Sequence, residues 1–184
     1  MATSTRRDPL RGFNFYVSMY DSTAGTGSAV TQITLQPLIA NPLAGFTECS
    51  GLEMTLETDD FNEGGRNGAV LKFPKRARYA DIVLRKGVTK NTELFDWFYN
   101  FTQGLGKRKD GLITLRDARG KPAVVWGFLR GLPVKYSGPQ LNAQQSAVAI
   151  ESITIAHEGL YQMGGGALLA GALKEAASAV ASLF

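Results

Sequence analysis

A chain of 184 residues, 44% hydrophobic and 20% charged, is long enough for one well-buried domain and too short for two comfortable ones, with the composition of neither a disordered tail nor a membrane protein. Twenty-one glycines against one histidine favour a turn-rich β protein over a helical bundle. The net charge of +4 is mild, and Cys49, the only cysteine, leaves no partner for an intrachain disulfide.

Residues Met1 to Arg7 are small, polar and basic. Without an apolar core they do not form a secretory signal, and they read as a mobile arm. Phe13 to Met19 alternates, with Phe13, Phe15, Val17 and Met19 against Asn14, Tyr16 and Ser18, which predicts a half-buried strand. Asp21 to Ser28 is a Gly/Ser/Thr loop, and Val30 to Leu35 can form a short hairpin partner before Pro37 and Pro42 interrupt it.

The stretch Leu43 to Val88 organises the rest. A short apolar run, Leu43 to Phe46, turns at Ser50-Gly51. Strand-like alternation follows, Met54, Leu56 and Thr58 on one face against Glu53, Thr55, Glu57 and Asp59 on the other. The tip Glu63-Gly64-Gly65-Arg66-Asn67-Gly68 is built from residues that tolerate positive φ. The chain returns through Ala69 to Phe73, breaks at Pro74, carries the basic residues Lys75, Arg76 and Arg78, and resumes a strand pattern from Tyr79 to Arg85.

Asn91 or Thr92 can cap a helix running to about Thr102 and ending at Gly104. Leu94, Trp97, Phe98, Phe101 and Leu105 give it an aromatic stripe that reads as core rather than as a ligand box. The basic loop Gly106 to Asp110 leads to a short strand, Leu112 to Leu115, and a turn at Asp117 to Gly120. Ala123 to Leu129 is a strand with a bend or bulge at Gly131 and Pro133, and Val134 to Ser137 continues it. In the last strand Val148, Ile150, Ser152, Thr154 and Ala156 share one face and Ala149, Glu151, Ile153, Ile155 and His157 the other, so a central position covered on both sides for part of its length is expected. Gly164 to Gly166 is a hinge before an amphipathic pattern, Leu169, Leu173, Ala176, Val180 and Leu183. An isolated helix of that length needs a surface to lie on, either its own domain or the next subunit. Lys174, Glu175 and its serines argue against a membrane span.

No constellation for catalysis stands out. His157 is the only base suited to nucleophile activation, and nothing in the sequence ties it to Cys49. Asp59 and Asp60 with Glu63 read as a charged hairpin tip before a cation site, and His157-Glu158 is not a metal cluster. Gly64 to Gly68 lacks the Lys-Ser/Thr ending of a phosphate loop, and Gly164 to Gly166 precedes apolar residues. No enzyme, cofactor or metal site is read. Basic clusters at Arg6, Arg7 and Arg11, at Lys72 to Arg78 and at Lys107 to Lys109 read as solvated faces, or as complements of acidic patches such as Glu57 to Asp60 on a neighbouring copy.

Several motifs fall in one order: Asp8-Pro9-Leu10-Arg11-Gly12-Phe13-Asn14-Phe15, then Gly45-Phe46, Ser50-Gly51-Leu52-Glu53, Glu63-Gly64-Gly65, Lys72, Pro74, Tyr79, Ile82 and Leu84-Arg85-Lys86-Gly87-Val88-Thr89, then Leu94-Phe95-Asp96-Trp97-Phe98-Tyr99. This order resembles the tail tube proteins of contractile phage tails and related injection systems, over most of Asp8 to Met163. The insert Asp21 to Pro42 is longer than that family's usual connection. The resemblance implies a mainly β fold, a β-sandwich or partial barrel, with one flanking helix; the family pattern ends near Met163, so the C-terminal helical extension is an addition to it. The chain's parts would be an arm (1–7), the tube domain (8–163) and a hinge with a helix (164–184). It implies six-fold rings stacked into a tube inside a contractile sheath, with baseplate and tail-terminator proteins as further partners, cargo or phage DNA in the lumen, and no membrane anchor. The particle would be assembled in the cytoplasm, as a virion tail or a phage-tail-like particle.

The strands Gly51 to Asp60, with their return, and the pair around Val134 to Ala156 would contribute to the shared barrel. Glu53, Thr55, Glu57 and Asp59 are the candidates for the lumen face, the apolar alternates packing into the subunit core. Asn62, Glu63, Gly64, Gly65, Arg66 and Asn67, with Lys75, Arg76 and Arg78, are candidates for contact with an adjacent subunit or ring. The alternatives are a baseplate or tube-initiator paralogue of the same fold and, in a different class, an OB-like nucleic-acid binder using the basic loops.

Overall fold

The computed structural model describes residues 9–22, 45–62, 68–144 and 146–164. The expected arm (1–7), the segment Val30 to Leu35, the tip residues 63–67 and the C-terminal helix lie outside the described residues.

The described chain is mainly β. Its strands are β1 (Phe15–Asp21), β2 (Phe46–Ser50), β3 (Met54–Phe61), β4 (Leu71–Tyr79), β5 (Ile82–Gly87), β6 (Lys109–Arg116), β7 (Pro122–Ser137), β8 (Ile150–Ala156) and β9 (Gly159–Gly164); helix α1 (Glu93–Thr102) lies between β5 and β6. Seven strands form one antiparallel sheet in the order β1-β6-β7-β8-β5-β2, with β9 on β7, while β3 and β4 pair only with each other. Among the described residues the path does not close into a barrel: β1 and β2, at its two ends, approach without pairing.

The hub is β7, at 16 residues the longest element described. One of its edges carries β6; the other carries β9 over Val124–Leu129 and then β8 over Leu132–Ser137. The change of partner happens where the sequence predicts a bend. Arg130 has a left-handed φ of 53°, and the register shifts between Pro133 and Lys135. A non-glycine residue rarely adopts that φ. Here the buried carboxylate of Asp110 accepts the Arg130 backbone N–H at 2.6 Å and holds the turn in place. By bending, β7 folds its two pairings over one another, and the main core lies between them: Val17, Phe46, Ile82, Leu84, Leu94, Trp97, Ile113, Phe128, Ile153 and Ile155.

Helix α1 closes one side of that core. The side chain of Asn91 accepts the Glu93 N–H at 2.9 Å, and Thr92 donates its hydroxyl to Asp96 at 2.7 Å, so both predicted capping residues serve the first turn. Gly104, with φ +74°, ends the run. Leu94 and Trp97 are buried, and the indole N–H of Trp97 donates to the Lys107 carbonyl at 2.9 Å. Leu105, expected in the stripe, is 75% exposed because the chain has left the helix before reaching it. Phe13 likewise precedes β1 and stands in solvent.

Three other expectations are revised. Pro74 does not break the return strand: β4 runs through it, because in a two-stranded ribbon a proline can face the unpaired edge, where its missing N–H costs nothing. The strand expected from Tyr79 is instead two, parted at Ala80 and Asp81. Finally, β9 is a strand that the sequence pattern did not show.

Candidate assembly surface

The hairpin β3–β4 projects from this core. At its root Gly51 turns with φ +86°, against the backbone of Asp81, and the Ala80 N–H donates to the Glu53 carbonyl at 3.2 Å. Beyond the root the ribbon has no described neighbour, and both of its faces are open. Met54 (62% exposed) and Leu56 (56%) do not pack into the core of this subunit, which corrects the expectation that they would. Two strands alone are marginally stable in water, so a ribbon this exposed is poorly supported by its own contacts.

The register reveals what strict alternation cannot. A bulge lies between Leu56 and Thr58 and inserts an extra residue into β4. Before it, Thr55 faces Arg78; after it, Asp59 faces Phe73 and Asp60 faces Lys72. The bulge therefore moves Phe73 onto the face of Thr55, Glu57 and Asp59, where its ring meets Phe61 edge-on at 6.2 Å. That face is polar at its root and aromatic towards its tip.

Its carboxylates also have cationic partners. Glu57 pairs with Arg76 and Arg78, Asp59 with Lys75 at 2.9 Å, and Asp60 with Lys72 at 3.4 Å. Each such exposed pair stabilises by less than about 1 kcal/mol. Together they cancel the acidic strand against the basic one inside a single hairpin. Asp59 and Asp60, adjacent in a strand, point to opposite faces and do not converge on a cation. Of the contact candidates, Asn62 is exposed, Lys75, Arg76 and Arg78 are engaged as above, and Glu63, Gly64, Gly65, Arg66 and Asn67 fall outside the described residues.

A second apolar exposure flanks β5 and β8. Leu141 (83% exposed), Val148 (79%) and Ile150 line an open cleft of about 820 Å³ with Arg85, Asn142 and Ser152. Along β8 the predicted alternation holds on the inner side, where Glu151, Ile153 and Ile155 are buried, and the strand is flanked by β7 and β5. In the basic cluster Lys107 to Lys109, Arg108 pairs with Glu158 at 2.8 Å, as Arg130 also does, and Lys109 lies over the Trp97 ring.

Beneath this surface is a polar group that the sequence reading missed. Lys86 on β5 and Glu151 on β8 are opposite neighbours, 1% and 7% exposed, joined at 3.2 Å. Glu151 also accepts the Tyr136 hydroxyl at 2.7 Å; burial, then that bond, pushes the phenol pKa up to about 12. The Tyr136 ring packs edge-on against Phe95 of α1. The signal was there: Lys86 shares strand parity with Ile82 and Leu84, as Glu151 does with Ile153 and Ile155.

The reactive side chains have structural surroundings. Cys49 packs against the main core, and burial raises its pKa to about 11, so its thiol stays protonated at neutral pH. His157 sits between the rings of Tyr79 and Phe128. Its pKa is lowered by burial, partly opposed by the nearby backbone of Ala80 and Gly159 and by Asp81. A lowered folded-state pKa means that the unfolded chain takes up the proton first on acidification. His157 therefore contributes stability that is complete above about pH 6.5 and declines as the pH falls towards its folded pKa. The urea midpoint is expected to drop between pH 7 and 5.5, and to drop less in His157→Gln; equal slopes would count against this assignment. Among the described residues no three His, Cys, Asp or Glu side chains are placed to hold a metal ion.

Comparison with known proteins completes the picture. No curated protein matches the sequence significantly. In the anti-feeding prophage baseplate, a chain 22% identical superposes with a TM-score of 0.71, over 87% of this chain and 99% of that one. In the sheath–tube complex of PVC, an extracellular contractile injection system in its extended state, the corresponding values are 24%, 0.69, 89% and 99%. Hcp1 from Flavobacterium johnsoniae is 19% identical, with a TM-score of 0.52 over 83% of this chain and 96% of its own. At these identities the likeness is one of fold. A family model described as T4-like virus tail tube protein gp19 matches residues 11–161.

Proposed function

The chain belongs to the T4-like virus tail tube protein family, and from that premise we propose that it is a structural subunit of a contractile tail or injection-system tube, assembled as six-fold rings stacked around a lumen. The observation that carries this is the hairpin β3–β4, whose exposed Met54, Leu56, Phe61, Val70 and Phe73 lack a described partner outside the hairpin. Apolar exposure of that extent marks an interaction site. Hairpins from successive copies, laid against the pair around Val134 to Ala156, where β7 beyond Gly131 has left β6, would pair their open edges and form one continuous wall.

In this arrangement Glu53, Thr55, Glu57 and Asp59 line the bore, and Met54 and Leu56 pack against the neighbouring subunit. The tip, Asn62 to Asn67, reaches the adjacent ring, while Lys75, Arg76 and Arg78 fix the ribbon's charge balance. The tube domain spans 8–163, between an arm at 1–7 and an extension at 164–184. Resemblance in fold to chains of a sheath–tube complex and a baseplate supports a sheath, a baseplate and a terminator as partners. Cargo or DNA would pass along the lumen of a particle assembled in the cytoplasm. The role is mechanical rather than catalytic.

Negative-stain electron microscopy and sedimentation over a concentration series test the reading. Rings or hollow stacks are expected from the unaltered chain. Leu56→Glu with Phe73→Glu is expected to abolish them while shifting the monomer's stability by no more than about 0.5 kcal/mol, as for exposed sites. Uniform monomers at every concentration would favour an initiator of the same fold, present in few copies.

A further inference from the structure

Strands β1, β6, β7 and β9 have a second face, turned away from the main core. Across it, in register, stand Ser18, Leu112, Gly127 and Tyr161, then Tyr16, Thr114, Val125 and Met163, with Tyr20 beside Asp110. An outermost layer of a sheet would be wet. Ser18, Leu112, Thr114 and Val125 are instead each 2% exposed or less. Among the described residues, the apolar cluster on this face draws on the four strands themselves, Leu112 and Val125 with Tyr20, Leu129, Tyr161 and Met163.

The hydroxyls are more telling. Those of Ser18, Tyr20, Thr114 and Tyr161 are shielded from solvent and have no hydrogen-bond partner among the described residues. Tyr161 lies on the sheet with the hydroxyl end of its ring over Gly127, which shields the side of the phenol that faces the strands. The side that faces away is shielded only by a further layer. Burial raises the pKa of both phenols, as such a layer requires.

We propose that this layer is the chain's own last segment, residues 165–184, lying as an amphipathic helix across the face. Strand β9 ends at Gly164, opposite Val124, at the border of the face and directly after Met163. Twenty residues remain, about 30 Å as a helix, enough to run the length of the strands or to cross all four at about 5 Å spacing. The stripe Leu169, Leu173, Ala176, Val180 and Leu183 matches the apolar strip of Leu112, Val125, Leu129 and Met163. The docking is within one subunit and holds whether or not rings form.

Hydroxyl-radical footprinting of the full chain, dilute enough to be monomeric, tests it. Tyr20, Tyr161 and Met163 are expected to label slowly, and several-fold faster in Leu169→Asp with Leu173→Asp, while Tyr79 and Tyr136 keep their rates. Equal labelling in both proteins would overturn the proposal. So would protection that disappears on dilution of the unaltered chain, which assigns the cover to a second copy, or protection lost instead in Ile33→Asp with Leu35→Asp. Because the double variant could loosen the whole domain, a photo-cross-linking residue in place of Leu173 gives an independent reading. Intramolecular cross-links to peptides carrying Tyr20 or Met163 are expected; cross-links only between chains, or to another face, would refute the docking.

Discussion

Gly51→Ala is expected to lower the stability of the subunit by roughly 3–5 kcal/mol, adding the cost of a left-handed alanine to that of an overpacked contact. The left-handed backbone, φ +86°, is the smaller part. The larger is that an added Cβ would lie 2.0 Å from the carbonyl oxygen of Asp81. Backbone cannot swing aside as a side chain does, so the root of the hairpin and the start of β5 must part. Gly120 separates the two contributions: its φ is +77°, yet nothing lies within 4 Å of its Cβ position. Gly120→Ala should therefore cost only about 1 kcal/mol. Urea denaturation of the two variants beside the parent measures both. Equal losses would mean that the contact with Asp81 yields, and that φ alone matters.

The second large effect concerns the buried pair. Lys86→Met leaves Glu151 buried with only the Tyr136 hydroxyl for company, and Glu151→Leu strands the Lys86 ammonium among apolar side chains. Each single change is expected to destabilise by about 3–5 kcal/mol, the usual result of orphaning one member of a buried ion pair. The double variant should recover most of the loss, because two apolar side chains of similar volume have no charge to desolvate. What it does not recover is the Tyr136 bond, about 1 kcal/mol. A double-mutant cycle by urea denaturation shows the coupling, and losses that simply added would show that the pair is not coupled. Tyr136 also touches α1 through Phe95, so hydrogen exchange in the helix offers a local readout of the same bond.

The legible parts of this fold were those governed by local chemistry. Asn91 and Thr92 announce a helix start, Gly104 its end, and Leu94 and Trp97 its buried side. Inward parity along β8 was read from Ile153 and Ile155. What escaped depends on partners far away in sequence. β9, bounded by Gly159 and Gly164, does not alternate convincingly and is a strand because β7 offers it an edge. The bulge opposite Leu56 and Thr58 adds one residue to β4 and exchanges its faces, which no reading of β3 alone could reveal. The candidate surface was located through its family resemblance, but its character was not: Phe73 joins the polar face, and the carboxylates find their cations across the same hairpin.

The position of β7 also bears on how the chain reaches this structure. Its partners β6, β8 and β9 lie, with it, between Lys109 and Gly164, in the part of the described chain made last. The connections among them are short, so their closure costs little entropy. β1, by contrast, pairs with a strand almost a hundred residues downstream: Phe15 meets Leu115. During synthesis it must wait, unpaired, while the intervening chain emerges. The C-terminal strands would then form the nucleus, β5 would add to β8, and β1 would close the sheet late. Substitutions in β7 should slow folding, whereas those in β1 should mainly speed unfolding.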